Sequence, residues 1–166
     1  TGVNGLYEVT ALDVDTTGLA ITIDLAYVVG LGTPTVAVAN TEVTLASVTV
    51  PGWSMGVGGG MEVDALFTLT NNATVKTLGM TFGGSAFLTA AGASNSSASV
   101  QKILNNRGNS VIISNPISIV GHGLSTAANV TLSVDATADQ VFAITVKPAT
   151  ANNLMRLESY NLYVRF

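Results

Sequence analysis

The sequence predicts an all-β domain, an antiparallel β-sandwich, and three observations carry that expectation. From Met61 to Leu69 the residues Met61, Val63, Ala65, Phe67 and Leu69 alternate with Glu62, Asp64, Leu66 and Thr68, the two-residue period of a strand with one face in a core. About ten short β-prone runs follow one another at intervals of roughly 8–15 residues, separated by Gly-, Pro- and Asn-containing corners. No stretch carries the apolar period of an amphipathic helix.

In chain order, the forward region Thr1 to Asn40 holds the alternation Leu19, Ile21, Ile23, Leu25 and is expected to be a small strand region or arm ahead of a main domain spanning 41–166. Asp13-Val14-Asp15-Thr16-Thr17-Gly18 reads as a turn-rich entry, and Gly30-Leu31-Gly32-Thr33-Pro34 as a hinge or intersubunit arm. Val43 to Val50 is a strand closed by Pro51, which cannot donate to a ladder. Trp53 to Gly60 is a loop, since each of its three consecutive glycines would cost a helix about 1 kcal/mol. The Met61 strand and the run Leu78, Met80, Phe82 flank the polar corner Thr70 to Thr74 and are expected to pair as a hairpin, with a tight reversal at Gly83-Gly84.

Phe87 to Thr89 is a further short run, and Ala90 to Ser99, small and polar, is expected to be an exposed loop. Val100 to Leu104, Val111 to Ile113, Ile117 to Val120, Val130 to Val134 and Val141 to Val146 complete the middle of the chain. The last run, Leu154 to Phe166, carries Tyr160, Leu162, Val164 and Phe166 on one face, which predicts that Phe166 is tucked in. No internal repeat is present, against a propeller or β-helix, and an immunoglobulin-like sandwich and a jelly roll both fit.

Composition bounds the partners. Of 166 residues 48% are hydrophobic and only 10% charged, too few charges to cover a lone subunit in the ordinary way, so burial of surface against other copies is expected. No apolar run approaches the roughly 18 residues of a membrane-spanning helix, and no membrane insertion is expected. The net charge is −4 and the six basic residues are scattered, which argues against nucleic acid. Without cysteine there is neither a disulfide framework nor a thiolate site.

Chemistry-bearing residues are few. His122, the single histidine, would need Ser114 or Ser125 to build a triad, yet no nucleophile elbow accompanies it and a surface-loop role is favoured. Asp13 with Asp15, and Asp135 with Asp139, could offer oxygen ligands to calcium, but neither set has the ligand count of a calcium loop and corner capping is favoured. Glu62 and Asp64 lie about 7 Å apart on one strand face, where a solvated or intersubunit role outweighs paired acid catalysis. No cofactor or metal is expected. Trp53, the single tryptophan, stands in the Gly-rich loop and suits a subunit contact better than a sugar platform. The sequons at Asn72, Asn95 and Asn129 fit a glycan acceptor pattern that Asn- and Thr-rich sequence produces by chance.

A set of segments in order carries a resemblance: Val48-Thr49-Val50-Pro51, Met61 through Asn71, Lys76-Thr77-Leu78, Phe82-Gly83-Gly84, Asn105-Asn106-Arg107-Gly108, Asp135 to Gln140 and Leu157-Glu158-Ser159-Tyr160. Together, over about Glu42 to Phe166, they resemble the β-sandwich head domain of tailed-bacteriophage fibres and related virion proteins. The resemblance implies a jelly-roll-like module, usually a homotrimer, displayed on a virion for receptor attachment or particle decoration, with no shared catalytic residues. Within it Arg107 is expected to tie a corner by hydrogen bonds to carbonyls or to Glu158.

The expected function is that of a virion structural protein, a capsid decoration or fibre/spike subunit, with other virion proteins and a host-surface glycan as partners. Attachment would use exposed loops, with Trp53, Gly58 and Gly59 in one and Ser94, Asn95 and Ser96 in another. The alternative is a carbohydrate-binding module, and an enzyme is not expected.

Overall fold

The computed structural model describes residues 23–24, 39–108, 110–118, 121, 123–150 and 153–165. Ten strands are formed: β1 (Ile23–Asp24), β2 (Val43–Val50), β3 (Gly60–Leu69), β4 (Lys76–Phe82), β5 (Ser85–Gly92), β6 (Ser97–Gly108), β7 (Val111–Ser114), β8 (Val130–Leu132), β9 (Gln140–Pro148) and β10 (Met155–Arg165). They build two antiparallel sheets, one in the order β1-β10-β3-β6-β7-β8 and one in the order β2-β9-β4-β5. Among the described residues there is no helix.

The ladders reveal how the chain is wound. β1 pairs β10, β2 pairs β9, β3 pairs β6 and β4 pairs β5, so successive strands from the two halves of the chain match like the legs of one long ribbon folded at the β4–β5 turn. Rolling that ribbon brings β10 beside β3 and β4 beside β9 and closes two sheets. This is the jelly roll, with β7 and β8 added at the β6 edge.

The alternation of β3 places Met61, Val63, Ala65, Phe67 and Leu69 in the core. Leu78, Met80 and Phe82 of β4 face the same core from the opposite sheet. The expected β3–β4 hairpin is therefore corrected: 70–75 is a crossover between sheets, and β3 finds its partners in β10 and β6 instead. Two strands that each bury one face close a core better from opposite layers than side by side. The reversal at Gly83-Gly84 is as expected, but it joins β4 to β5, with φ of 54° and 76° at its two central residues as a type I′ turn requires. Ala90 to Ser99 is likewise corrected: 90–92 end β5, 97–99 open β6, and the connection is 93–96 alone. Its alanines and serines read as loop because the outward half of an exposed strand needs no large side chain.

Phe67, Phe82, Phe87 and Phe142 are fully buried, with Phe87 and Phe142 stacked obliquely at 6.3 Å between ring centres. Each such ring contributes about 1.5–3 kcal/mol relative to exposure. The open side between β7 and β5 is closed by the segment after β7, where the Thr89 N–H donates to the Ile117 carbonyl at 2.9 Å. Of the expected forward arm, Ile23–Asp24 pair with β10 and 39–40 are described; the rest, like His122 and Phe166, lies outside the described residues.

Candidate functional site

Antiparallel strand directions sort the connections onto two ends of the sandwich. Gly60 of β3 sits opposite Asn105 of β6, and Thr68 opposite Ser97. The loop 51–59 therefore lies at one end with the β4–β5 turn and residues 133–139, while 93–96 lies at the other with 70–75. Trp53, Gly58 and Gly59 are thus separated from Ser94, Asn95 and Ser96 by about 30 Å, the length of a ten-residue strand. The structure does not join them into one site.

The Trp53 loop is the more firmly built. Pro51 ends β2, and at Gly52 any Cβ would run into the Thr137 carbonyl oxygen. The Gly52 N–H donates to Asp139 Oδ1 at 2.8 Å and the Trp53 N–H to the Ala136 carbonyl at 2.8 Å. These two bonds hold Trp53 at φ 66°, a left-handed conformation that a bulky residue adopts only when its surroundings impose it. Ser54 Oγ donates to the Pro51 carbonyl at 2.6 Å, and Met55 plugs the loop into the core.

Asn106 closes the other half of the loop. Its Nδ2 donates to the Met55 carbonyl at 2.6 Å and the Gly56 carbonyl at 3.3 Å, its backbone N–H to the Gly59 carbonyl at 2.9 Å, and its carbonyl accepts the Gly58 N–H at 2.8 Å. The outcome is an ordered knuckle that projects Trp53, 66% exposed, and Val57, 72% exposed. The neighbouring corner is fixed by Asp135, which accepts from the Thr137 N–H and hydroxyl, and these bonds hold its carboxyl below the usual range. Asp135 caps its own corner, as favoured from the sequence, whereas Asp139 accepts from Gly52, 87 residues away, and ties one corner to the other. The indentation between the knuckle and this corner, lined by Pro51, Ser54, Met55, Phe82, Ala136 and Gln140, has no room for a water molecule.

No family model, no curated protein and no solved structure matches the chain.

At the far end, Ser94 has φ 57° and its N–H donates to the Asn72 carbonyl at 2.7 Å, while Ser94, Asn95 and Ser96 are all exposed. Beneath them lies a network that sequence reasoning missed. The buried Lys76 ammonium donates to Asn72 Oδ1 at 2.9 Å, the Thr74 carbonyl at 2.8 Å and the Asn72 carbonyl at 3.4 Å, and Asn72 Nδ2 donates to Asn153 Oδ1 at 2.6 Å. The side chain of the Asn72 sequon is thereby engaged in the fold. A second buried ammonium, Lys102, donates to the carbonyls of Pro116 at 2.8 Å and Asn115 at 3.2 Å, and burial lowers its pKa from 10.5 to about 8.

Arg107 and Glu158 do not meet. Each is the extra residue of a β-bulge, Arg107 between the pairs Asn106↔Ile112 and Gly108↔Val111, Glu158 between Leu157↔Phe67 and Ser159↔Leu66. The β3 register puts these bulges roughly 28 Å apart at opposite ends. Glu158 pairs with Arg156 at 3.4 Å, and the corner role expected of Arg107 is filled by its neighbour Asn106. Glu62 accepts from Gln101 at 3.0 Å and pairs with Arg165 at 3.6 Å on the outer sheet face. Among the described residues no three His, Cys, Asp or Glu side chains converge as a metal site.

Proposed function

We propose that the chain is a structural protein of a bacteriophage virion, a capsid decoration or fibre/spike subunit that supports particle stability or host-surface attachment and performs no catalysis. The observation that carries this reading is the Trp53 knuckle: an exposed aromatic held in a costly backbone conformation, in a loop bonded to two separate stretches of chain, 136–139 and Asn106. A rigid, exposed tryptophan loses little freedom on binding and is the residue type most enriched where contacts carry energy. The jelly roll, an architecture of viral capsid and lectin domains, supports the same reading. Several copies, three by the resemblance, would present the knuckle together, and weak contacts would add through multivalency.

The test is binding of the purified chain to host cells and to particles lacking it. Wild type should bind, and Trp53→Ala should weaken binding at least tenfold with an unchanged melting temperature. Equal binding by the two proteins would sink the assignment of attachment to this knuckle.

A carbohydrate-binding module is the second reading, favoured by the open Trp53 ring on a loop whose Gly52 N–H is held by the Asp139 carboxylate. Stacking of a sugar ring would shift the emission of Trp53, the single tryptophan. A panel of bacterial surface glycans that leaves that emission unmoved retires it.

A further inference from the structure

The sheet edges of this protein are treated unequally. β5 is bonded from outside at Thr89, whose N–H donates to Ile117, β8 ends its sheet after three residues, and β10 receives β1. β2 is eight residues long, and among the described residues nothing pairs with its outer side. Its sequence, Val43 to Val50, holds no charge and no proline and is rich in β-branched residues. Soluble proteins keep such edges short, charged, bulged or covered, because a row of unpaired N–H and C=O groups templates another strand; β2 has one bulge, at Leu45, and none of these devices from Ala46 to Val50. The core-facing Val43, Leu45, Ala46 and Val48 are also only partly buried, although they pack against the core.

We propose that β2 is a two-fold contact at which a second copy of this chain adds its own β2 antiparallel, joining two four-stranded sheets into one of eight strands. A second copy fits because an isologous contact sets this uncharged edge against itself, so no like charges meet and the half-exposed Val48 and its neighbours gain cover. It also answers the scarcity of charge in a chain with 10% charged residues. The register follows from the strand: a bulge between Thr44 and Ala46 disrupts one half and Pro51 stops the other, leaving Ala46–Val50 with Val48 at its centre. Val48 then faces Val48 of the other copy, and Ser47 faces Thr49. The contact is independent of the virion reading, and a three-fold association would need a different surface.

The chain has no cysteine, so single substitutions report proximity cleanly. Purified wild type at micromolar concentration is expected at two times 16.9 kDa by light scattering, or six times if dimers also associate three-fold. Val48→Cys should cross-link to a dimer on oxidation and Ala91→Cys, on the opposite edge of the same sheet, should not. Ser47→Lys, at an exposed position, should abolish the dimer while leaving melting of the subunit unchanged. A mass of 16.9 kDa, a mass of three times 16.9 kDa with no Val48→Cys cross-link, or a dimer indifferent to Ser47→Lys overturns the proposal.

Discussion

Asn106 Nδ2 donates to the Met55 carbonyl at 2.6 Å, so that the β6 strand holds a loop 51 residues earlier in the chain. The amide is buried, and its removal strands the carbonyl of the buried Met55. Asn106→Ala should cost about 1–3 kcal/mol in chemical denaturation. It should also free the knuckle, read as a fall in the fluorescence anisotropy of Trp53; Arg107→Ala, at an exposed bulge, should do neither.

Lys76 serves as a tethered cation. Its ammonium satisfies two oxygens of Asn72 and one of Thr74 at the crossover from β3 to β4. Lys76→Met keeps most of the volume and removes the donor, and should destabilise by roughly 3 kcal/mol. Equal denaturation midpoints for the two proteins would count against this role.

Alkaline pH separates the buried Lys102 from the half-buried Tyr160. Lys102 is held at about 8 in the fold against 10.5 for a free lysine, so from pH 8 upward the native state gives up a proton that the unfolded state keeps. Its contribution therefore rises with pH across that window and is lost as pH falls through 8. Burial raises the Tyr160 hydroxyl above its ordinary 10.0, so its contribution is lost above pH 10. Denaturation midpoints should climb from pH 8, turn over above 10, and lose the climb in Lys102→Met.

The β4–β5 turn distinguishes its two glycines. A Cβ at Gly83 would sit 2.6 Å from both Val134 Cγ1 and Gln140 Oε1, whereas at Gly84 it would meet nothing within 4 Å. Gly83→Ala should cost about 1–3 kcal/mol from strain and overlap, and Gly84→Asn, which tolerates positive φ, only a few tenths. Thermal melting of the pair checks the contrast.

Alternation made the strand character of β3 and of the last half of β10 legible, because a buried face writes a period of two into the chain; β9, buried on both faces from Phe142 to Val146, reads only as a β-prone run. Partners are not written locally: β3 pairs with β10, some 90 residues on, and the short polar corner Thr70 to Thr74 drew it wrongly toward β4. Within β6 the same period held a signal that went unused. Val100 and Leu104 face inward, so Lys102 and Asn106 must too, while Arg107 falls outside that register. Residue type singled out the arginine; position along the pleat singles out the asparagine and the buried lysine. The separation of Trp53 from Ser94–Ser96 depends on strand direction, which loop composition does not encode.

The ribbon winding has a consequence for synthesis. β10 lies between β1 and β3, so these two strands stay unjoined until residues 155–165 leave the ribosome. Until then β3 exposes one whole side of its backbone, and the nascent chain depends on chaperones or on speed to escape pairing with its neighbours on the same message.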